Sequence, residues 1–166
     1  MVHLFSLLLI LAADPIPKDS GTPRQPNPFA PSLPLLTTEE ERNLDSLIER
    51  FIQADTGKLT GADAKKALDE FKELGPEASF ALIRGFNRSA PIDHSCPALT
   101  IGRKLGTILR SSSDISLLQF AKENIGAGVK TTRHGDIIRD LKLGCTQRIT
   151  ALKNAPITEI RNTPKP

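Results

Sequence analysis

Residues 66–86, KALDEFKELGPEASFALIRGF, decide the predicted fold of this chain. Apolar side chains recur at helical spacing on both sides of a glycine and a proline. Gly75 can adopt the left-handed conformation that ends many helices, and Pro76 suits the first turn of the next helix. The stretch therefore predicts an antiparallel pair of helices joined by a tight turn. The apolar positions of the first helix are Ala64, Ala67, Leu68, Phe71 and Leu74.

A related pattern returns about 36 to 38 residues later, close to the period of helical repeat proteins. It passes through Ser-Ser-Ser-Asp between two apolar helical segments. Residues 37–54 and 134–152 would supply the remaining helices, because one such hairpin cannot bury its apolar face alone. The apolar positions of the second unit are Ile101, Leu105, Ile108, Ile115, Leu117, Leu118 and Ala121.

The turn and the helix after it resemble a HEAT repeat of the armadillo-type superhelical family. That family has an apolar helix, a turn of the type Leu-Gly-Pro-Glu-Ala, and a second helix that begins Ala-x-x-Ala-Leu-Ile. The matching residues here are Leu74, Gly75, Pro76, Glu77, Ala78, Ala81, Leu82 and Ile83. The resemblance implies an all-α domain over residues 37–155, a short right-handed superhelical stack of antiparallel hairpins with about five to six helices. Residues 37–155 are similar to exported bacterial proteins of the HEAT type. This resemblance implies no catalytic residues and no cofactor.

Composition agrees with a single helical domain. The chain has 166 residues, 39% of them apolar, and it contains seven Phe but no Trp or Tyr. A core built mainly from Leu, Ile and Ala is typical of small stacked helices and not of an aromatic-rich sheet. We therefore expect one modest core and an all-α fold.

The first 13 residues have the pattern of a short secretory signal. An apolar run over residues 4–13 ends in Leu-Ala-Ala and is followed by a polar, proline-rich stretch. His3 stands where such signals usually carry Lys or Arg, so a frayed apolar terminus or a misassigned start is the alternative. The run is too short to span a bilayer, which needs about 20 residues. The pattern predicts export to the periplasm, the cell envelope or the exterior.

Proline dominates residues 14–36, which predicts a disordered linker. Seven prolines in this stretch remove backbone donors and favour extended conformations over packing. A spacer is the main interpretation, and a ligand for a proline-recognising groove is the alternative. Residues 156–166 contain three further prolines and are predicted to form a disordered tail.

Helix starts and one helix face are marked by small residues. Ala98, Gly102 and Gly106 recur every four positions and leave one face of a predicted helix nearly bare. Such a face allows close approach of a neighbouring helix, or it forms a shallow surface that a ligand or partner backbone meets. The predicted caps are Thr38 with Glu41 as a capping box, Thr60 with Asp63, and Ser113 or Asp114.

Two loops resemble ligand-binding sites but lack the residues that would bind the ligand. If Gly57 takes the sixth position of a calcium loop, Ile52 and Ala54 fall where oxygen ligands are required. Gly126-Ala-Gly128 lacks the Gly-Lys-Ser/Thr that completes a phosphate loop, and a turn between helices is the better interpretation.

Cys96 heads the most reactive-looking cluster. A cysteine in the first turn of a helix feels the positive end of the helix dipole, and His94 or His134 could act as its base. A small thiol-dependent enzyme or redox accessory protein is therefore the alternative function. The chain shows no local signature of cysteine hydrolases. A metal site built from these three residues and Cys145 would lack the close ligand spacing of known sites, so no metal is predicted.

The two cysteines also allow a disulfide if the chain is exported. Cys96 and Cys145 would close a loop of about 50 residues, which could contribute about 2 to 4 kcal/mol to stability. Two buried thiols are the equal alternative.

Charge is uneven although the net charge is only +3. Residues 37–55 are acidic and residues 130–153 are basic. The basic residues either form a solvated face that pairs with the acidic first helix or aids solubility, or they bind a partner. The proposed basic face consists of Arg103, Lys104, Arg110, Arg139 and Lys142.

These observations predict a non-catalytic macromolecule-binding or scaffold protein that acts through a HEAT-like helical surface. Its partner would be an acidic protein or another acidic macromolecule. Nucleic acid is disfavoured, because the chain is expected to be exported and has no Trp or Tyr to stack on bases. A spacing element within a larger assembly is a third possibility.

Overall fold

Helices make up most of the chain in the computed structural model, which describes residues 24–93, 97–130 and 133–155. The mostly helical fold confirms the all-α prediction at this level. The described residues form six α-helices and one two-stranded sheet. The helices are α1 (Thr38–Asp55), α2 (Gly61–Glu73), α3 (Ser79–Ser89), α4 (Pro97–Ser111), α5 (Ile115–Asn124) and α6 (Gly135–Asn154), and the strands are β1 (Pro26–Asn27) and β2 (Ala30–Pro34).

Neighbouring helices pair along the chain. α1 packs on α2, α3 on α4, and α5 on α6, while α1 also contacts α3 and α4 also contacts α6. α2 and α3 share almost no contact, so the helix pair predicted for residues 66–86 is wrong. Both helices form, but each packs on a different partner.

The turn between α2 and α3 explains this outcome. Leu74 has a ψ of 129° and Gly75 has a φ of −103°, so both are extended and Gly75 does not take the left-handed conformation predicted for it. Pro76–Ala78 then forms a 3₁₀ turn with the proline in its first position. The chain therefore leads away from α2 instead of reversing onto it.

The helix caps follow the predicted chemistry at α5 but not at α1 and α2. Thr37, and not Thr38, caps α1: its Oγ1 accepts from the Glu40 amide at 3.2 Å, and the Glu40 carboxylate accepts from the Thr37 amide at 2.8 Å. Glu41 instead binds Arg84 of α3. Asp114 caps α5 as predicted.

Thr60 precedes α2 as expected, but its side chain makes no capping hydrogen bond. Cap geometry therefore matches the sequence pattern at α5 and departs from it at α1 and α2.

Residues 24–36 form a β-hairpin, so the prediction of a disordered linker is wrong for this part. Asn27 Oδ1 accepts from the Phe29 amide at 2.9 Å and holds the turn between the strands. Ala30 is fully buried, and the ring of Phe29 lies 5.5 Å from that of Phe120. The Asp114 carboxylate accepts from the Ser32 amide at 2.8 Å.

Several predictions concern residues outside the described ranges. They are the secretory signal at residues 1–13, the linker at residues 14–23 and the tail at residues 156–166. All three stay predictions.

One continuous core runs through the helices. Leu, Ile and Ala supply most of its buried side chains, as the composition predicted. Phe51 and Phe71 stack between α1 and α2 with ring centroids 3.8 Å apart, and Phe86 is fully buried in α3. In the part of the chain that the structure describes, no helix combines the length and the apolar character needed to cross a bilayer.

Candidate binding groove

A groove lies between α4 and α6 and encloses a cavity of about 200 Å³. Its floor is apolar or bare backbone, and charged side chains stand along its edges. The floor consists of Leu99, Gly102, Gly106 and Leu109 from α4, and of Ile137, Leu141, Gly144 and Cys145 from α6. We call this feature the α4/α6 groove.

The predicted bare face of α4 allows close approach of α6. A Cβ atom at Gly102 would lie 3.1 Å from Ile137 Cγ2, and one at Gly106 would lie 3.2 Å from both Leu141 Cδ2 and Arg110 Nη1. Such contacts are tight, so larger residues at these two positions would push α6 away. The close-approach interpretation is therefore confirmed.

Gly144 on α6 has open space beside it, unlike the two glycines of α4. A Cβ atom there would meet nothing within 4 Å, although Gly144 lines the cavity. The helices thus touch at two glycines of α4 and leave space beside the glycine of α6. The other interpretation of the bare face, a shallow surface that a ligand or partner backbone meets, stays a prediction.

Arg103 and Arg110 stand at the edge of the α4/α6 groove. Both are exposed and lie seven positions apart on α4, which is about 10.5 Å along the axis. Arg110 contacts Thr107 Oγ1 at 3.4 Å. Neither arginine has a carboxylate partner among the described residues. The Arg110 guanidinium folds back over Gly106, since a Cβ atom at Gly106 would lie 3.2 Å from Arg110 Nη1.

The other three residues of the predicted basic face lie elsewhere. Lys104 donates to the carbonyl oxygen of Lys72 at 2.7 Å and sits 5.6 Å above the ring of Phe71, so it faces α2. Lys142 is partly buried and does not line the groove.

Arg139 pairs with carboxylates of its own helix, α6. It binds Asp136 at 2.9 Å, and its guanidinium lies 3.7 Å from Asp140. Asp140 stands on the edge of the groove opposite α4. The structure therefore brings together two of the five predicted cations and adds a carboxylate that the sequence did not single out.

The acidic surface of α1 is neutralised by α3. Arg84 binds Glu41 and lies 3.0 Å from Asp45, while Arg88 lies 3.6 Å from Asp45 and 3.9 Å from Glu49. Burial disfavours the charged guanidinium, but hydrogen bonds to Asp45 and Glu41 outweigh it and raise the pKa of Arg84. The alternative that α6 pairs with α1 is wrong, because these two helices do not pack together.

His134 and Cys145 lie too far apart to share a metal ion. They are eleven positions apart along α6, about 16 Å along the axis, whereas metal–ligand bonds are about 2.0 to 2.3 Å. His134 is 3% exposed, and its Nδ1 lies 2.9 Å from the Ala90 carbonyl oxygen. Within the described ranges, no group of three or more His, Cys, Asp or Glu could hold a metal.

Cys145 is a buried thiol at the floor of the groove. It is 1% exposed, and burial raises the pKa of its thiol. His94 and Cys96 lie outside the described residues, so the thiol chemistry and the Cys96–Cys145 disulfide stay predictions.

Gly144 lines the groove although the sequence pattern did not point to it. Its signal was available, because a glycine inside a predicted helix costs about 0.5 to 1 kcal/mol relative to alanine and calls for a structural cause. What the pattern did not contain was the pairing of α4 with α6, which decides that Gly144 faces the same space as Gly106.

A scan against protein-family models and searches of curated proteins and of solved structures found no match. The function of the groove is therefore inferred from its own residues.

Proposed function

We propose that this protein is a non-catalytic macromolecule-binding or scaffold protein that holds an acidic protein in its α4/α6 groove. One observation carries the proposal: Arg103 and Arg110 flank an open apolar cavity and have no carboxylate partner among the described residues. A cation beside apolar surface attracts an acidic partner, and the apolar floor then supplies the contact area.

The chemistry of the groove favours binding over catalysis. Its titratable groups besides the two arginines are Asp140, which is exposed and close to Arg139, and the protonated thiol of Cys145. A nucleophile needs an adjacent base within hydrogen-bonding reach, and these two groups do not form such a pair. Adhesion to a partner uses the same residues without any such requirement.

The HEAT-type architecture is part of the proposal, although the helices that pair are not the two that flank the HEAT-like turn at residues 74–78. Three helix pairs follow one another along the chain, and the first and second pairs meet through α1 and α3, the second and third through α4 and α6. Contacts limited to neighbouring units are typical of repeat proteins, which present extended surfaces to partners. An experimental structure would test the right-handed superhelix.

Photocrosslinking tests the groove as a binding surface. We would place a photoreactive phenylalanine derivative at Thr107, an exposed position on α4 between the two arginines, in the full-length chain. Lys65, exposed on α2, is the matched control position. After irradiation in cells of the source organism, mass spectrometry would identify the adduct, and the purified partner would be tested for direct binding.

We expect an adduct from Thr107 that Lys65 does not give and that Gly144→Leu removes by filling the groove. The partner should bind the Arg42→Glu protein like the wild type, because Arg42 lies on α1, and bind Arg103→Glu/Arg110→Glu less tightly. Equal adducts from both positions, or an adduct that survives both groove variants, would refute the proposal.

Export is proposed separately, on the pattern of residues 1–13. N-terminal sequencing of the expressed protein tests it. Cleavage near Ala13 in material from the periplasm or medium is expected, whereas an intact terminus in the cytosolic fraction would contradict it.

A further inference from the structure

The β-hairpin at residues 24–36 lies on the helices as an extended segment. Its second strand, β2, packs on α5 and on the 3₁₀ turn at Pro76–Ala78. Most residues of the hairpin are exposed, and the buried ones are Asn27 and Ala30. We call residues 24–36 the arm, and the surface that α5 and the 3₁₀ turn form beneath it the arm site.

Two contacts fix the backbone of the arm. Ala30 is completely buried in the core, so the arm site accepts a small side chain at this position, and a larger one would overpack it. Two positions further, the Ser32 amide donates to the Asp114 carboxylate at 2.8 Å. A hydrogen bond to an ionised acceptor is stronger than one between neutral groups. The arm site thus specifies a small residue and a backbone donor two positions after it.

Aromatic rings hold the residue before the alanine. The ring of Phe29 lies 5.5 Å from that of Phe120, and Phe120 makes an edge contact with Phe80 at 4.9 Å. Phe29 is 58% exposed, so it lies at the outer end of this row of rings. Leu33 of β2 also packs against the core. The recognised pattern is therefore an aromatic residue, a small residue and, three positions later, an apolar residue.

Prolines keep this pattern extended before it docks. Pro31 follows Ala30 and Pro34 follows Leu33, and a residue before proline is restricted to extended conformations. The segment therefore loses less conformational entropy on docking than a flexible segment would. Aromatic-lined grooves bind proline-rich extended ligands for the same reason. Such a ligand is the alternative interpretation that the sequence allows for this proline-rich stretch.

Few buried groups hold the arm in place. Arg24 pairs with Glu40 at 2.8 Å, but 42% and 36% of these two side chains are exposed, so solvent screens the pair. The four prolines of the arm have no amide to donate to the sheet, and β1 has only two residues. Segments with few buried contacts and exposed hydrogen bonds open locally without unfolding of the whole protein.

We propose that the arm site is a peptide-binding site that the arm fills in cis, and that a proline-rich extended segment of a partner protein binds there when the arm leaves. The partner segment carries an aromatic residue, a small residue and a proline in succession, and an apolar residue two positions after the proline, as the arm does from Phe29 to Leu33. The arm then competes with the partner and limits its binding. The arm site is separate from the α4/α6 groove, so this inference does not depend on the function proposed above.

Variants that release the arm but keep the arm site test the proposal. In the full-length chain, Ala30→Glu places a charged side chain at a completely buried position, and Ser32→Pro removes the amide that donates to Asp114. Gln25→Glu, at an exposed position of the arm, is the matched charge control. The probe is a fluorescent peptide of residues 24–36, and anisotropy measures its binding. Circular dichroism establishes which variants keep the helical fold.

We expect the peptide to bind the two released variants at least about tenfold more tightly than wild type and Gln25→Glu, in which the arm competes at an effective concentration of about millimolar. A peptide that carries the Ala30→Glu change should not bind. Phe120→Ala combined with Ser32→Pro should weaken binding of the unchanged peptide about tenfold, because the ring that contacts Phe29 is gone.

Three other outcomes would each overturn the inference. If a folded released variant bound no peptide, or bound it no better than wild type, the arm would not cover a separate site. If both released variants lost the helical fold, the arm would be an integral part of that fold. If light scattering showed a wild-type dimer that the peptide dissociates, the arm site would belong to the arm of a second copy and not to a partner protein.

Discussion

Two helix contacts in this protein differ in what occupies the space beside a helical glycine. The contact of α1 with α3 and that of α4 with α6 each include a glycine inside a helix. At Gly85 of α3, the side chain of Ile48 fills the space that the glycine leaves. At Gly144 of α6, nothing lies within 4 Å of the missing side chain. The α1/α3 contact is closed at its glycine, whereas the α4/α6 contact is closed at Gly102 and Gly106 and open beside Gly144.

The charges follow the same division. Around the closed contact, Arg84 and Arg88 bind carboxylates of α1. Around the open one, Arg103 and Arg110 have no carboxylate partner among the residues that the structure covers. Folding explains the first arrangement fully. The second leaves two arginines without an ion pair beside apolar surface, and the proposed function assigns this surface to a partner.

The largest effect is expected where the closed contact is broken. Ile48 is fully buried, so Ile48→Ala should lower the free energy of unfolding by about 2 to 5 kcal/mol. Gly85→Ala should also destabilise, by about 1 to 3 kcal/mol, because its Cβ would collide with Ile48 Cγ2. Urea unfolding with equal m-values measures both changes.

The double variant makes this prediction sharper. In the Ile48→Ala protein the colliding methyl group is gone, and the remaining Ile48 Cβ would lie 3.6 Å from the new side chain. Gly85→Ala should then stabilise by about 0.5 to 1 kcal/mol, the usual gain in a helix. Additive effects of the two changes would mean that Ile48 does not close this contact.

Only those features of the fold that depend on neighbouring residues in the chain could be predicted from the sequence. Helical periodicity and composition are local signals, so the all-α fold and the bare face of α4 were predictable. The packing partners of α2 and α3 depend on the extended backbone of Leu74 and Gly75. A glycine can be extended or left-handed, and the residues around it do not show which conformation it adopts. The β-hairpin was missed because its anchors, Asp114 and Phe120, lie far along the chain from Ser32 and Phe29, which they contact.

Asp114 offers a second closed contact for comparison. Its carboxylate accepts from the Leu117 amide at 3.1 Å and from the Ser32 amide at 2.8 Å, so it caps α5 and anchors the hairpin. Asp114→Ala should lower the free energy of unfolding by about 1 kcal/mol. Asp114→Asn retains one acceptor and should cost less. An Asp114→Asn protein as stable as wild type would show that the second acceptor is not used.

The same carboxylate predicts a pH dependence. Burial raises its pKa, but hydrogen bonds from Ser32 and Leu117 outweigh burial, and the pKa of Asp114 is lowered. A lowered pKa means that the ionised form stabilises the fold, so the contribution is complete above the unfolded pKa of about 4 and disappears as the pH falls through the lower folded value. The stability difference between wild type and Asp114→Asn should therefore shrink below about pH 4, measured by urea unfolding. A constant difference down to pH 2 would contradict this.

Filling the open contact should stabilise the protein. Gly144→Ala adds a side chain where nothing lies within 4 Å, and we expect about 0.5 to 1 kcal/mol of added stability from the helix alone. Gly102→Ala is the matched control, because its Cβ would press on Ile137 at 3.1 Å and should gain less or nothing. Thermal unfolding measures both. A Gly144→Ala protein that is less stable than wild type would mean that the groove is not open.

The smallest difference separates the two sets of arginines. Arg84 is partly exposed, with 42% of its side chain accessible, so its ion pairs are screened and Arg84→Met should cost about 0.5 kcal/mol. Arg103→Met should change stability by less than about 0.5 kcal/mol, as for other surface positions without a partner. Because salt weakens exposed ion pairs, the cost at Arg84 should fall in 1 M sodium chloride, while that at Arg103 should not change. If both variants lost the same stability with the same salt dependence, Arg103 would have a carboxylate partner within the chain, and its position at the groove would no longer point to a partner outside it.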